Sequence, residues 1–192
     1  QGQKRQLQVS HEAGRDLRTL IDNILDLSRI EAGKASFSLQ PIEPRQLADD
    51  LVELVKPQFD AKGLSLVVEA ETRPLPAFVS DQEKVRQILK NFLANALKFT
   101  HQGGVTLQLR HRPQEPAHPI CFSVRDTGVG IPPDKHGLIF EAFKQADGST
   151  SRRYGGTGLG LSISRELAHL LGGEISLVSE EGQGAEFTLC LP

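Results

Sequence analysis

Between positions 81 and 100 the chain reads D-Q-E-K-V-R-Q-I-L-K-N-F-L-A-N-A-L-K-F-T. Val85, Ile88, Leu89, Phe92, Leu93 and Ala96 recur at the spacing of one face of a 3.6-residue helix. Gln87, Asn91, Asn95 and Lys98 fall on the opposite side as a single polar stripe. Asp81 stands where an N-cap belongs, and Glu83 adds negative charge to the first turn. A solvated helix face usually mixes Glu, Lys and Arg, whereas this one aligns two short amides with a lysine. Asparagine offers a neutral oxygen to a hard cation, and lysine offers a point charge to phosphate.

The same periodicities lay out the rest of the chain. Residues 5–32 predict one long helix with a near-heptad stripe of Leu17, Leu20, Ile21, Ile24, Leu27 and Ile30, ended by Gly33. It would span roughly 40 Å at about 1.5 Å per residue, and it implies a partner helix or a second subunit to cover the stripe. Upstream of Gly14 the pattern is poor, and fraying is expected there. A strand at 35–42, a helix from Pro44 to Ala61 and a strand at 64–70 follow, then a short strand at 78–79 before the polar-striped helix. Strands at 105–110 and 120–125 flank a Pro-rich hairpin loop. A short helix at 135–143, a polar Gly/Ser-rich stretch to Thr157, a helix at 161–171 and strands at 174–179 and 185–191 complete the chain. Strands and helices mix without strict β-α-β alternation, which favours an α+β fold, a two-layer sandwich with a mixed sheet packed on helices. One long helix (1–34) precedes that unit (35–192).

Composition narrows the partners. The 192 residues suit one medium domain plus an appendage. A net charge of −2 gives no ground for a nucleic-acid or anionic-membrane partner. Cys121 and Cys190 lie in separate strands without C-x-x-C spacing, and the expectation is two reduced core thiols of a cytosolic protein. No apolar run approaches the length of a membrane span, and no signal peptide is visible. The Gln1 start and the opening inside a helix predict an excised piece of a longer chain, in which any membrane anchor would lie outside this piece.

Two glycine clusters carry the remaining chemistry. Asp126-Thr-Gly-Val-Gly-Ile-Pro comes straight off a strand. Read blandly, it is a strand-ending turn with an Asx-type aspartate. Read functionally, Asp126 accepts from an amine such as adenine N6, while Gly128 and Gly130 let the backbone approach the ring. The second cluster, Gly155-Gly-Thr-Gly-Leu-Gly160, runs into a helix and offers N–H groups and a positive dipole end to phosphate. It is not a P-loop, because Leu161 stands where that loop needs lysine, and no G-x-G-x-x-G supports a dinucleotide fold.

In order, N-x-x-x-N-x-x-K, D-x-G-x-G and G-T-G-L-G-L resemble the ATP-binding domain of sensor histidine kinases, within the superfamily shared with gyrase, heat-shock chaperones and MutL-type ATPases. Phe140-Glu-Ala-Phe143 is similar to their phenylalanine box. Residues 23–28 followed by R-I-E-A-G-K are similar to the second helix of their dimerisation hairpin and its link, with wording most like the hybrid kinases. The resemblance implies a Bergerat-type ATP-binding fold, ATP and Mg²⁺ as ligands, and transfer of the γ-phosphoryl to a histidine on the dimerisation hairpin. The implied partners are that hairpin, a receiver domain and a second copy in the full-length parent, in a cytoplasmic setting.

The resemblance also implies roles for matching positions. Asn95 would ligate Mg²⁺, and Lys98 with a lid arginine (Arg152 or Arg153) would contact phosphate. Asp126 would read adenine with Gly128 and Gly130 beside it, and Phe99 would join the nucleotide contacts. Gly156, Gly158 and Gly160 would hinge the lid, read here as residues 145–157, and approach the phosphates, and Thr157 and Leu159 would join the nucleotide contacts. Phe140 and Phe143 would pack its base. Asn91 is the discriminating catalytic position. The hydrolysing relatives carry Glu there to activate water, and an amide cannot act as a general base at neutral pH. Histidine transfer is therefore favoured over an ATP-hydrolysing clamp, and the intact motifs stand against a non-catalytic nucleotide-binding module. His11 sits in an S-H-E tripeptide like the family's phosphoacceptor, but A-G-R-D-L-R-T-L follows where L-R-T-P-L belongs. About 20 residues of one helix separate it from Gly33, too little for a two-helix hairpin. His11 is expected on the surface of the second helix, unphosphorylated.

Overall fold

The computed structural model describes residues 2–34, 36–140 and 160–192. Its first element is a single helix, α1 (Gly2–Glu31), which runs through Gly14 and includes the poorly patterned start that the sequence predicted to fray. Leu27 and Ile30 of α1 pack onto the core. Leu7, Val9, Leu17, Ile21, Ile24 and Leu25 lie exposed along it, an apolar stripe that none of the described residues covers.

Strand β1 (Leu39–Ile42) is half the expected length. It begins where pairing with β3 (Phe78–Asp81) begins, at Leu39 opposite Asp81. One residue earlier, the Ser38 N–H is taken by the Asp81 carboxylate at 2.9 Å and does not enter a ladder. Helix α2 (Pro44–Ala61) opens on proline, whose fixed φ suits a first turn, and buries Leu47, Ala48, Leu51 and Phe59.

Helix α3 (Gln82–Phe99) follows its sequence pattern closely. The Asp81 side chain accepts from the Lys84 N–H at 3.2 Å as the N-cap, and Val85, Ile88, Leu89, Phe92, Leu93 and Ala96 are all buried. Beneath them lies a mixed sheet in the order β2-β4-β5-β7-β6, made of β2 (Ser65–Ala70), β4 (Gly104–His111), β5 (Ile120–Asp126), β7 (Gly184–Leu191) and β6 (Glu174–Glu180). β2 and β4 are parallel, and the other pairs antiparallel. Alternation sends Val105, Leu107, Leu109, Phe122 and Val124 toward the helices. The Phe92 ring of α3 stacks on Phe187 of β7 at 5.3 Å between centroids. Helix α4 (Gly160–Leu170) lies beside α3 and adds Ile163, Leu167 and Ala168 to the core.

Two expectations need correction. Cys121 and Cys190 are joined in a disulfide, not held as separate thiols. Antiparallel pairing of β5 with β7 sets them directly opposite, with Cα atoms 4.1 Å apart despite a sequence separation of 69. The helix expected from 135 is, among the described residues, two 3₁₀ turns, Pro133–Lys135 and Leu138–Phe140. The second turn holds the Phe140 ring edge-on to Phe187 at 6.2 Å. No helix among the described residues is long and apolar enough to cross a membrane.

Candidate functional site

The C-terminal end of α3 meets the turn that leaves β5. Asp126 is buried at the end of that strand, and its Oδ1 accepts from the N–H of Gly128 at 2.8 Å and of Ala185 at 3.2 Å. Burial pushes this carboxyl above its ordinary value of 3.8, and the two N–H donors offset only part of that rise. Thr127 anchors the turn from the other side, donating from Oγ1 to the Gln102 carbonyl at 2.9 Å and accepting from the Gly104 N–H at 3.1 Å.

Both glycines of D-T-G-V-G are required by close approach. A Cβ on Gly128 would lie 2.3 Å from the Phe99 carbonyl oxygen, and one on Gly130 would lie 2.1 Å from the Glu180 carbonyl oxygen. Gly130 also has φ +72°, a backbone region that a side chain disfavours. The turn is thus wedged between the end of α3 and the β6–β7 hairpin. The Val129 N–H donates to the Phe99 carbonyl at 3.3 Å, and the Gly182 N–H donates to the Val129 carbonyl at 2.7 Å. Ser179 completes the clamp, accepting from the Ile131 N–H and donating to the Gly184 carbonyl, both at 2.8 Å.

The polar stripe of α3 divides its work. Gln87 donates to Asp26 of α1 at 3.1 Å, so the first stripe residue ties the long helix to α3. Asn91 reaches the start of α4. Its Nδ2 donates to the Gly160 carbonyl and to Ser164 Oγ, each at 3.0 Å, and Ser164 Oγ donates to the Gly160 carbonyl at 2.8 Å. Asn95 and Lys98 continue the stripe toward Phe99, both partly exposed. The Lys62 ammonium, from the residue after α2, caps the Leu97 and Lys98 carbonyls at the end of α3. Arg152, Arg153, Gly156, Thr157, Gly158, Leu159 and Phe143 lie outside the described residues.

Sequence reasoning missed Thr127, Ser164, Ser179 and the Ala185 N–H. Ser164 left a trace, a small polar residue four positions after Gly160 in an otherwise apolar helix face. The others act through backbone groups or across a hairpin, and no spacing along the chain reports that.

The donor chemistry decides what metal fits. Among the described residues no three His, Cys, Asp or Glu converge as a metal cage. Asn95 can give one neutral oxygen. Magnesium, which keeps waters and takes phosphate oxygens, fits such a site, whereas zinc would need nitrogen or sulfur ligands from the protein.

Comparison with known proteins agrees with this geometry. Residues 80–192 match the family described as "Histidine kinase-, DNA gyrase B-, and HSP90-like ATPase". The chain is 37% identical over 191 residues to the circadian input-output histidine kinase CikA of Synechococcus elongatus, covering 99% of this chain and 25% of that protein. It is 35% identical over 186 residues to the signal transduction histidine-protein kinase BarA of Escherichia coli, covering 96% and 20%. The chain therefore spans a quarter or less of the length of these relatives. The crystal structure of full-length ShkA in complex with AMPPNP matches at a TM-score of 0.86 and 36% identity, over 100% of this chain and 39% of that one. The catalytic domain of the histidine kinase ThkA matches at 0.67 and 23% identity, over 81% and 97%, a likeness of fold. With the matched region spanning α3, both sides of the Asp126 turn and the start of α4, the chain belongs to the histidine kinase-, DNA gyrase B- and HSP90-like ATPase family.

Proposed function

We propose that this chain is the ATP-binding catalytic unit of a two-component sensor histidine kinase, preceded at 1–34 by the second helix of a dimerisation hairpin. One observation carries the reading. Helix α3 runs from the first turn of α4, held by Asn91, to the Asp126 turn, held by the Phe99 carbonyl. A nucleotide laid along its polar stripe has its adenine at Asp126 and its phosphates toward the glycine-led start of α4.

In this reading the Oδ2 of Asp126, to which none of the described residues donates, accepts from the adenine amine, and Gly128 and Gly130 let the ring lie against the backbone. Lys98 and Arg152 or Arg153 contact phosphate, and the N–H groups at Gly156, Gly158 and Gly160 cradle it. Thr157 and Leu159 lie in the same stretch. A magnesium ion would be held by Asn95 and would neutralise phosphate charge there. The acceptor is a ring nitrogen of histidine on the hairpin. A P–N bond forms as the bond from the γ-phosphorus to the β,γ-bridging oxygen breaks, ADP leaves, and the imidazole proton passes to a base on the hairpin or to water. The catalytic contribution is positioning and electrostatics. Asn91 supports transfer over hydrolysis, since its Nδ2 donates to Gly160 and Ser164 and a carboxamide is no general base for water at neutral pH. A receiver-domain aspartate takes the phosphoryl next. The exposed stripe of α1 fits a hairpin partner helix and a second copy of the parent chain.

The test mixes the protein with γ-labelled ATP, magnesium and a separately supplied hairpin bearing the phosphoacceptor histidine. Acid-labile, base-stable label on the hairpin is expected, with none on His11, which lies exposed within the continuous α1. Release of label as inorganic phosphate with the hairpin unlabelled would instead identify a hydrolysing clamp.

A further inference from the structure

Asn91, Ser164 and the Gly160 carbonyl form a closed triangle in which every donor is matched to an acceptor. Asn91 Nδ2 gives one hydrogen to Gly160 O and the other to Ser164 Oγ, each at 3.0 Å. The single Ser164 hydroxyl hydrogen goes to Gly160 O at 2.8 Å. Ser164 is fully buried. The opposite flip of the amide would put Oδ1 against a carbonyl oxygen and against a hydroxyl whose only hydrogen is already committed. The network therefore fixes the amide orientation, and Oδ1 takes no part in the triangle.

From this geometry we propose that Ser164 is a positioning residue for phosphoryl transfer, acting through Asn91. It holds the Asn91 carboxamide with Oδ1 as the outward acceptor, and it fastens the first turn of α4 to α3. The inference rests on the reading of this cleft as the phosphate end of a kinase site. A serine hydroxyl inside a helix ordinarily bonds back to the i−4 carbonyl and contributes little. Here that back-bond has a second function, because it turns the hydroxyl lone pair toward Asn91. Without it, the Gly160 carbonyl keeps one donor fewer and the amide can rotate. The outward group would then alternate between an acceptor and a donor. An outward N–H₂ cannot accept from a water or from the N–H of an incoming imidazole. Such misorientation slows transfer more than it weakens nucleotide binding, which draws on Asp126 and the glycines at the other end of α3.

Two readouts on Ser164→Ala and Ser164→Thr test this. The first is exchange of the Asn91 side-chain amide protons with water by nuclear magnetic resonance, which needs no turnover. The second is the rate of transfer to the supplied hairpin, measured beside ADP affinity. Ser164→Ala should expose the amide protons to fast exchange and slow transfer about tenfold, the worth of one hydrogen bond at the reacting end. ADP affinity should stay within about twofold. Threonine, which makes the same i−4 bond, should restore both protection and rate. Retained protection in Ser164→Ala overturns the proposal. So does lost protection with an unchanged rate, or a parallel fall in rate and ADP affinity, which would mark a merely structural role. If the parent protein transfers nothing to the hairpin, the kinase reading fails, and amide exchange alone decides the orientation of Asn91.

Discussion

Replacing Asp126 with asparagine isolates the ligand-facing half of one side chain. The two backbone donors at Asp126 both go to Oδ1, from Gly128 at 2.8 Å and Ala185 at 3.2 Å. Asparagine keeps an oxygen there and loses neither bond, so the turn and the β5–β7 ladder have no reason to move. What changes is the other position, where Oδ2 becomes an N–H₂. A carboxylate oxygen accepting from the adenine amine is worth about 1.5–3 kcal/mol. The substitution removes that acceptor and sets a donor against a donor, which places the loss at about 2–3 kcal/mol, or roughly 30- to 150-fold in Kd. Stability should move the other way. Burial raises this carboxyl above 3.8, so the native state binds more protons than the unfolded chain between the ordinary and the raised value. Parent stability therefore falls as pH rises through that window, and Asp126→Asn lacks this loss. Calorimetric titration with ADP near neutral pH, paired with thermal unfolding, reads both quantities. In the parent, acidification through the raised value should weaken ADP binding as the acceptor is protonated. The asparagine variant should be flat over the same range. ADP binding as tight in Asp126→Asn as in the parent, with folding intact, would refute the adenine assignment.

Asn95→Ala should abolish the magnesium-dependent part of ATP binding and leave metal-free ADP binding nearly unchanged, so an unaltered magnesium titration removes Asn95 as a ligand. Gly130→Ala combines φ +72° with a Cβ placed 2.1 Å from the Glu180 carbonyl oxygen, and it should cost about 2 kcal/mol or more in urea unfolding and impair nucleotide binding. Gly137→Ala, whose Cβ meets nothing within 4 Å, should stay within about 0.5 kcal/mol, and equal effects at the two sites would contradict the close-approach argument. Asp81→Ala removes the α3 N-cap together with bonds to the Ser38 N–H and the Lys84 ammonium, an expected loss of about 2–3 kcal/mol. Burial pushes the Asp81 carboxyl up, but the Ser38 and Lys84 contacts together outweigh it and hold the group below 3.8. Its stabilisation is therefore present above 3.8 and is lost as pH falls through the depressed native value, so acid unfolding of Asp81→Ala should lack this component.

What was legible in the sequence was whatever a single element states by itself. The buried face of α3 follows from period, and its start follows from Asp81, because helix packing and capping are decided within a few residues. The Asp126 turn was legible because two glycines one residue apart signal backbone that something approaches closely, although the sequence does not say what approaches. It is the Phe99 carbonyl on one side and Glu180 on the other, contributed by elements distant in the chain. Pairings between strands were the weakest inference. The disulfide was missed because the relevant separation is the ladder register, Cys121 opposite Cys190, and nothing in the residues between them encodes that register. Strand β1 was overextended for the opposite reason. Its apolar and polar alternation continues before Leu39, but the Ser38 N–H is captured by Asp81, so one carboxylate both caps α3 and ends a ladder. The same double use recurs at Asn91, which position and residue type marked for chemistry, and whose amide the fold commits to α4 through Ser164. A residue on the polar stripe of α3 is thus read correctly only when its partner on the neighbouring helix is known. Gln87, bound to Asp26, shows how the same helix serves attachment at one end while its other end, at the Phe99 carbonyl, meets the Asp126 turn.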